Sequence, residues 1–116
     1  MSQSIRELDG REQLIAGADE MKKAGYRLSQ ACVTTVEPYD LLYSFARDEE
    51  LVSLRLRIAE GDEIESITGV FPYAYLYENE MKDLFGIKIR NINVDFKGNF
   101  YRTAQKTPFV DVKEEL

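Results

Sequence analysis

The segment Tyr77-Glu78-Asn79-Glu80-Met81-Lys82-Asp83-Leu84-Phe85-Gly86-Ile87 sets three carboxylates within six positions of one another. Paired carboxylates can serve as general acid and base, or hold a cation. On a helix, however, Glu78 and Glu80 point about 200° apart, so they cannot flank one substrate. Glu80 and Asp83 share a helical face, yet two carboxylates without further ligands make a weak cation site. The same spacing suits a solvated acidic face with a Glu78–Lys82 pair at i, i+4, which contributes about 0.3–0.5 kcal/mol.

Other chemistries are short of residues. The chain has no histidine, which removes the commonest general base and the middle member of a Ser-His-Asp or Cys-His arrangement. It has a single cysteine, Cys32. Because an iron–sulfur cluster usually takes four thiolates, this chain is not expected to hold one alone, and Cys32 reads as a small apolar strand residue. No glycine-rich phosphate loop of the GxGxxG or GxxxxGK(S/T) kind is found. A net charge of −6 opposes binding to nucleic acid, whose phosphates demand a basic face. The uncharged stretches fall short of the ~20 apolar residues that a membrane span needs, so no direct membrane insertion is expected. The first residues lack a basic segment followed by an apolar run, which points to a cytoplasmic address.

The elements that must position the acidic segment read as an α+β domain of 116 residues with one core. Asp9 and Glu12 have the form of a capping box before a helix over 11–24, whose stripe is Leu14, Ile15, Ala18 and Met21. Lys22 and Lys23 suit its last turn and Gly25 its end. From Tyr26 the period becomes two. A first strand runs to about Val36, and a second carries Leu41, Tyr43 and Phe45 on one face. Val52, Leu54, Leu56 and Ile58 alternate with Ser53, Arg55 and Arg57 in a third, and residues 64–71 read as a fourth. Short polar turns join them into a four-stranded antiparallel meander. Pro72 suits the first turn of a second helix, packed on the sheet, with Tyr73, Tyr77, Met81, Leu84 and Phe85 as its inward stripe. Gly86 ends it with Ile87 packing back, and a short edge strand follows within 87–92. Residues 1–95 form the domain on this reading. Residues 96–116 form an irregular tail whose Phe96, Phe100, Tyr101 and Phe109 either wrap the chain's own sheet or lie on a partner.

The acidic segment also resembles the signature of the C-type subunit of NADH:quinone oxidoreductase (respiratory complex I) and its homologues in membrane-bound energy-converting nickel–iron hydrogenases. That pattern is Pro, a few small or aromatic residues, Glu-Arg-Glu, two residues, Asp, two apolar residues and Gly-Ile or Gly-Val. Here it reads Pro72, then Glu78-Asn79-Glu80, Asp83, Leu84-Phe85 and Gly86-Ile87. The likeness extends back through Ser66-Ile67-Thr68-Gly69-Val70-Phe71, the Leu54–Ile58 strand and Lys23-Ala24-Gly25-Tyr26, covering about two thirds of the chain in order. Asn79 stands where the family has Arg, and Lys82 where an aromatic is frequent, departures that would cost an ion pair or a stacking contact. After Ile87 the His and Arg pattern of the quinone-reducing members is missing, and the chain's shortness resembles the D-type subunit of Ech-like hydrogenases.

The resemblance implies a non-catalytic, cofactor-free accessory subunit, peripheral on the inner face of the cell membrane. Its partners would be a hydrogenase-like large subunit with the nickel–iron centre and a small subunit with iron–sulfur clusters. The second helix then becomes a docking face: Pro72 and Tyr77 belong to it, Glu78, Glu80 and Asp83 meet basic groups of the partner, Phe85 anchors beside them, and Gly86 closes it. The alternatives are the equivalent subunit of an NADH- or ferredoxin-linked quinone oxidoreductase, a stand-alone α+β protein-binding domain, and a small enzyme using a tyrosine or carboxylate acid.

Overall fold

The change from helical to extended chain falls at Gly25 in the computed structural model, which describes residues 2–36 and 38–94. Helix α1 (Leu14–Lys23) follows a single 3-10 turn, Arg11–Gln13. Gly25 takes φ +90°, a region open to glycine without a Cβ penalty, so that its N–H reaches Lys22 O and the Tyr26 N–H reaches Met21 O. Leu14, Ala18 and Met21 are buried as the stripe requires, whereas Ile15 is exposed. The expected Asp9/Glu12 box does not form. The turn begins one residue later, at Gly10, and the Gln13 side chain accepts the Asp9 N–H instead.

Strands β2 (Arg27–Val36), β3 (Tyr39–Arg47) and β4 (Glu50–Ile58) form the antiparallel meander, with bulges in β2 between Leu28 and Gln30 and between Val33 and Thr35. The β3–β4 reversal is tight, since Arg47 pairs with Glu50, and it puts Asp48 at φ +53°. The fourth strand of this sheet is not the expected segment 64–71. It is β1 (Ser2–Glu7), which lies parallel to β4 and gives the order β1-β4-β3-β2. The sheet is therefore mixed. The sequence of β1 has one large apolar residue, Ile5, which is exposed, so pairing with β4 forms this strand rather than any local alternation.

Only Glu63–Glu65 of the expected fourth strand is extended (β5), and it pairs in parallel with β6 (Lys88–Arg90), inside the expected edge segment, as a separate two-stranded sheet. Residues 66–71 turn instead: the Val70 and Phe71 N–H groups both return to Ile67 O. The alternation of Ile64, Ser66, Thr68 and Val70 arises because the two hydroxyls turn inward to polar partners. Pro72 opens a 3-10 turn leading into α2 (Tyr75–Phe85), and Gly86 at φ +72° ends it with bonds from Gly86 N–H to Lys82 O and from Ile87 N–H to Met81 O.

Both helices pack on one face of the main sheet, over Leu41, Tyr43, Phe45, Leu54 and Leu56. On the other face Ser44 and Ser53 share a hydrogen bond beside the Asp40–Arg55 pair. No helix of the described residues is long and apolar enough to cross a membrane. The expected tail, residues 96–116, lies outside the described residues.

Candidate functional site

Helix α2 packs Tyr77, Met81 and Phe85 against the core as its stripe requires, but its deepest line is shifted toward Ala74 and Glu78. Ala74, Glu78 and Met81 are buried, at spacings of four and three, whereas Tyr73 is 78% exposed. Glu78 itself is 0% exposed. Its Oε2 accepts the Tyr43 hydroxyl at 2.9 Å and the Ile67 N–H at 3.1 Å, and its Oε1 accepts the Ser66 hydroxyl at 2.6 Å. Ser66 Oγ in turn accepts the Thr68 N–H and lies 2.7 Å from Thr68 Oγ1, which accepts the Asn93 N–H. One carboxylate thus ties β3, the loop after β5, α2 and the segment after β6.

Two effects compete at Glu78. Burial pushes its carboxyl above the ordinary value, while the donors from Ser66, Ile67 and Tyr43 pull it down, and burial prevails. The Tyr43 phenol is pushed far up, first by burial and then by the Glu78 charge, so it remains a donor. A carboxylate closed off in this way has no exposed atom with which to meet a substrate or a partner's cation.

The remaining predicted residues do not converge on it. Glu80, half-buried, leaves α2 on another side, where its charge is felt at Cys32 on β2. Asp83 is buried and engaged. Tyr77 is half-buried, its hydroxyl donating to Ser29 O on β2 at 3.0 Å. Phe85 packs against the core, its carbonyl accepting the Tyr39 hydroxyl at 3.1 Å. Pro72 is exposed and Gly86 holds its left-handed bend. The expected Glu78–Lys82 surface pair is replaced by the internal bonds, because Glu78 occupies the buried seam.

Sequence reasoning missed Tyr43, Ser66, Thr68 and Asn79. Asn79 is 0% exposed and its amide donates to Tyr75 O and Val94 O, each at 2.8 Å. The available signal was the spacing Ala74, Glu78, Met81 and Phe85, which matches a helical face as well as the aromatic stripe does.

A second polar cluster lies on the opposite face of the sheet. Arg55 grips Asp40 through Nε and Nη2 at 2.8–3.2 Å, with Arg57 Nε 3.9 Å from the same carboxylate and Glu7 3.6 Å from Arg55. The Arg55 hydrogen bonds hold the Asp40 carboxyl below its ordinary value. The groove between β1 and α1 is likewise lined by paired charges, Arg6 with Glu20 and Lys23 with Asp19. Among the described residues no three His, Cys, Asp or Glu side chains group as a metal site would need.

The elements from the approach to α1 to the end of the second sheet coincide with a known family. The sequence profile described as "Respiratory-chain NADH dehydrogenase, 30 Kd subunit" matches residues 10–96, well over half of the chain. The chain belongs to this family. Its fold is shared with a solved chain from "the membrane-bound sulfane sulfur reductase (MBS), an archaeal respiratory membrane complex", at a TM-score of 0.71 and 16% identity. The superposition covers 84% of this chain and 62% of that one, so the 30 Kd-family domain here spans less than two thirds of its structural relative. No curated protein matches in sequence.

Proposed function

We propose that this 30 Kd-family chain is a non-catalytic, cofactor-free accessory subunit of a membrane-associated redox complex, an energy-converting hydrogenase in the first instance. What carries the non-catalytic reading is the placement of Glu78. The Glu78 carboxylate is sealed against solvent and occupied by three donors from its own chain, which is the chemistry of a fold constraint. The redox groups then belong to other chains: a nickel–iron centre in a large subunit and iron–sulfur clusters in a small one. The subunit sits on the cytoplasmic side, held at the membrane through its partners. Along α2 and at its two ends, Glu80 and Tyr77 with Pro72 and Phe85 form the docking edge, and Glu78, Asp83 and Gly86 act from beneath by holding the helix in place. A charged contact of this kind fixes orientation more than it adds affinity.

The description of the family supports a second reading, the equivalent subunit of an NADH- or ferredoxin-linked quinone oxidoreductase. Affinity purification of the tagged chain from detergent-solubilised membranes separates the two. Copurifying nickel with hydrogen evolution from reduced ferredoxin supports the first, and quinone reduction without nickel the second. A chain recovered as a monomer, with no redox subunit, overturns both.

A further inference from the structure

Strand β1 is the one strand with no buried side chain among the described residues: Gln3 to Glu7 are all exposed, Ile5 at 57%. What holds it is a parallel ladder on β4, in the register Ser4 to Val52, Ile5 to Ser53, Arg6 to Leu54 and Glu7 to Arg55, closed by the Leu8 N–H bond to Arg55 O at 2.9 Å. Two exposed ion pairs add little, Arg6 with Glu20 on α1 at 2.6 Å and Glu7 with Arg55 at 3.6 Å. Leu8, half-buried against the core, marks where the chain becomes fixed. Side chains alternate across a strand, so Ser4 and Arg6 stand on the face of Val52 and Leu54, the helix side. An open groove of about 540 Å³ lies there between β1 and α1, lined in part by Leu8, Ala16 and Gly17. A serine hydroxyl and a guanidinium that reaches out to Glu20 leave it unfilled.

We infer that the β4 edge is an acceptor site for an extended segment of another protein chain. The segment pairs parallel to β4 in place of β1, with apolar side chains at the positions of Ser4 and Arg6 and an acid at that of Glu7. The ladder supplies affinity that any such strand shares, since a replacement meets the same main-chain donors and acceptors of β4. The groove supplies preference, because two apolar side chains entering it leave water, which Ser4 and Arg6 do not. The acid answers Arg55, whose side chain is 30% exposed and faces the Glu7 position as well as Asp40. Strand β1 is then a placeholder that keeps the edge from pairing at random. No described side chain of β1 has to be drawn from the core when it yields. This edge lies across the sheet from β2, against which α2 packs, so the site is separate from the docking edge of α2 and stands or falls without it.

The test uses the full-length chain and the synthetic peptide Ser-Gln-Ile-Ile-Leu-Glu, which copies β1 with apolar residues at its two inward positions. At millimolar concentration the peptide should speed amide hydrogen exchange over residues 3–7 about tenfold or more, while the β3 and β4 amides keep their protection. The unaltered β1 sequence as a peptide, and the apolar peptide ending in Lys instead of Glu, should each need about tenfold more for the same effect. A second measurement needs no peptide. With Ser4→Ile and Arg6→Leu together the groove is filled from within the chain, so exchange over residues 3–7 should slow about tenfold and the apolar peptide should no longer displace β1. Unchanged exchange with millimolar apolar peptide would overturn the inference, as would equal displacement by all three peptides. Exchange over residues 3–7 that is no slower in the double variant, with the β3 amides still protected, would overturn it too.

Discussion

Replacing Glu78 by Ala should be among the most damaging single changes in this chain, although it deletes a charge from a helix that reads as a solvated surface. The methyl group leaves three donors facing a site that water does not reach. Ser66 can redirect its proton to Thr68 Oγ1, 2.7 Å away, but the Tyr43 hydroxyl and the Ile67 N–H have no other acceptor in the network. Each buried donor left unsatisfied costs about 1–3 kcal/mol, so Glu78→Ala should lose about 4 kcal/mol. That is a large part of the roughly 5–15 kcal/mol available to a domain. With a urea slope of about 2 kcal/mol/M, the midpoint falls by about 2 M. Glu78→Gln should lose only about 1 kcal/mol, because its carbonyl can keep Tyr43 and Ile67 while Ser66 turns to accept from the amide. The pH dependence has a definite sign. As the folded value lies above the ordinary 4.5, stability is greatest below 4.5 and declines as pH rises through the folded value, and Glu78→Gln should abolish that decline. Urea titrations of the three proteins across acid to neutral pH measure both effects. A Glu78→Ala protein within about 1 kcal/mol of the parent would refute the buried-network account.

Three further outcomes follow from single contacts. Asp40 titrates below its ordinary 3.8, so the stability it supplies is present above 3.8 and is lost as pH falls through the lower folded value; Asp40→Asn should flatten that acid limb and cost about 2 kcal/mol at neutral pH by urea titration. Gly86→Ala forces a Cβ into the left-handed region at φ +72° and should cost about 1 kcal/mol, seen as a lowered Tm. Asp48→Gly relieves the same kind of strain at φ +53° and should raise stability by about 0.5 kcal/mol, the gain being limited by the extra freedom of glycine when unfolded.

What could be read from the sequence was what local chemistry enforces. Gly25 and Gly86 end their helices at left-handed residues, and β3 and β4 bury the alternating sets Leu41, Tyr43, Phe45 and Leu54, Leu56, Ile58. What escaped depended on distant partners. Strand β1 has no apolar period and exists because β4 offers it an unpaired edge. Residues 66–71 mimic strand alternation because Ser66 and Thr68 turn toward an acid on another element. The inward turn of Glu78 escapes for the same reason: hydrophobic periodicity counts a glutamate as outward, yet three donors from other segments draw it in beside the stripe of Tyr77, Met81 and Phe85 that does pack on the core. The family pattern located the segment that matters and could not say which of its acids faces in.

That division changes how mutants in the acidic segment must be interpreted. A chain altered at Glu78 will fail to assemble if its fold loosens, whether or not the acid ever meets a partner, so loss of assembly there says nothing about docking. Glu80 is the informative position. It is half-buried and leaves the helix away from the network. Helix α2 packs against β2, the edge strand of the sheet, and the Glu80 charge adds to burial in raising the Cys32 thiol on that strand. Glu80 has an interaction of its own within the chain, and at a half-buried position its loss should lower stability by no more than about 1 kcal/mol in Glu80→Ala. If α2 docks through that edge, the same substitution should sharply reduce the redox subunits recovered with the tagged chain, and Glu80→Gln should restore only part of them because the charge is missing. Full recovery with Glu80→Ala would remove the docking role from α2, while leaving the internal duty of Glu78 untouched.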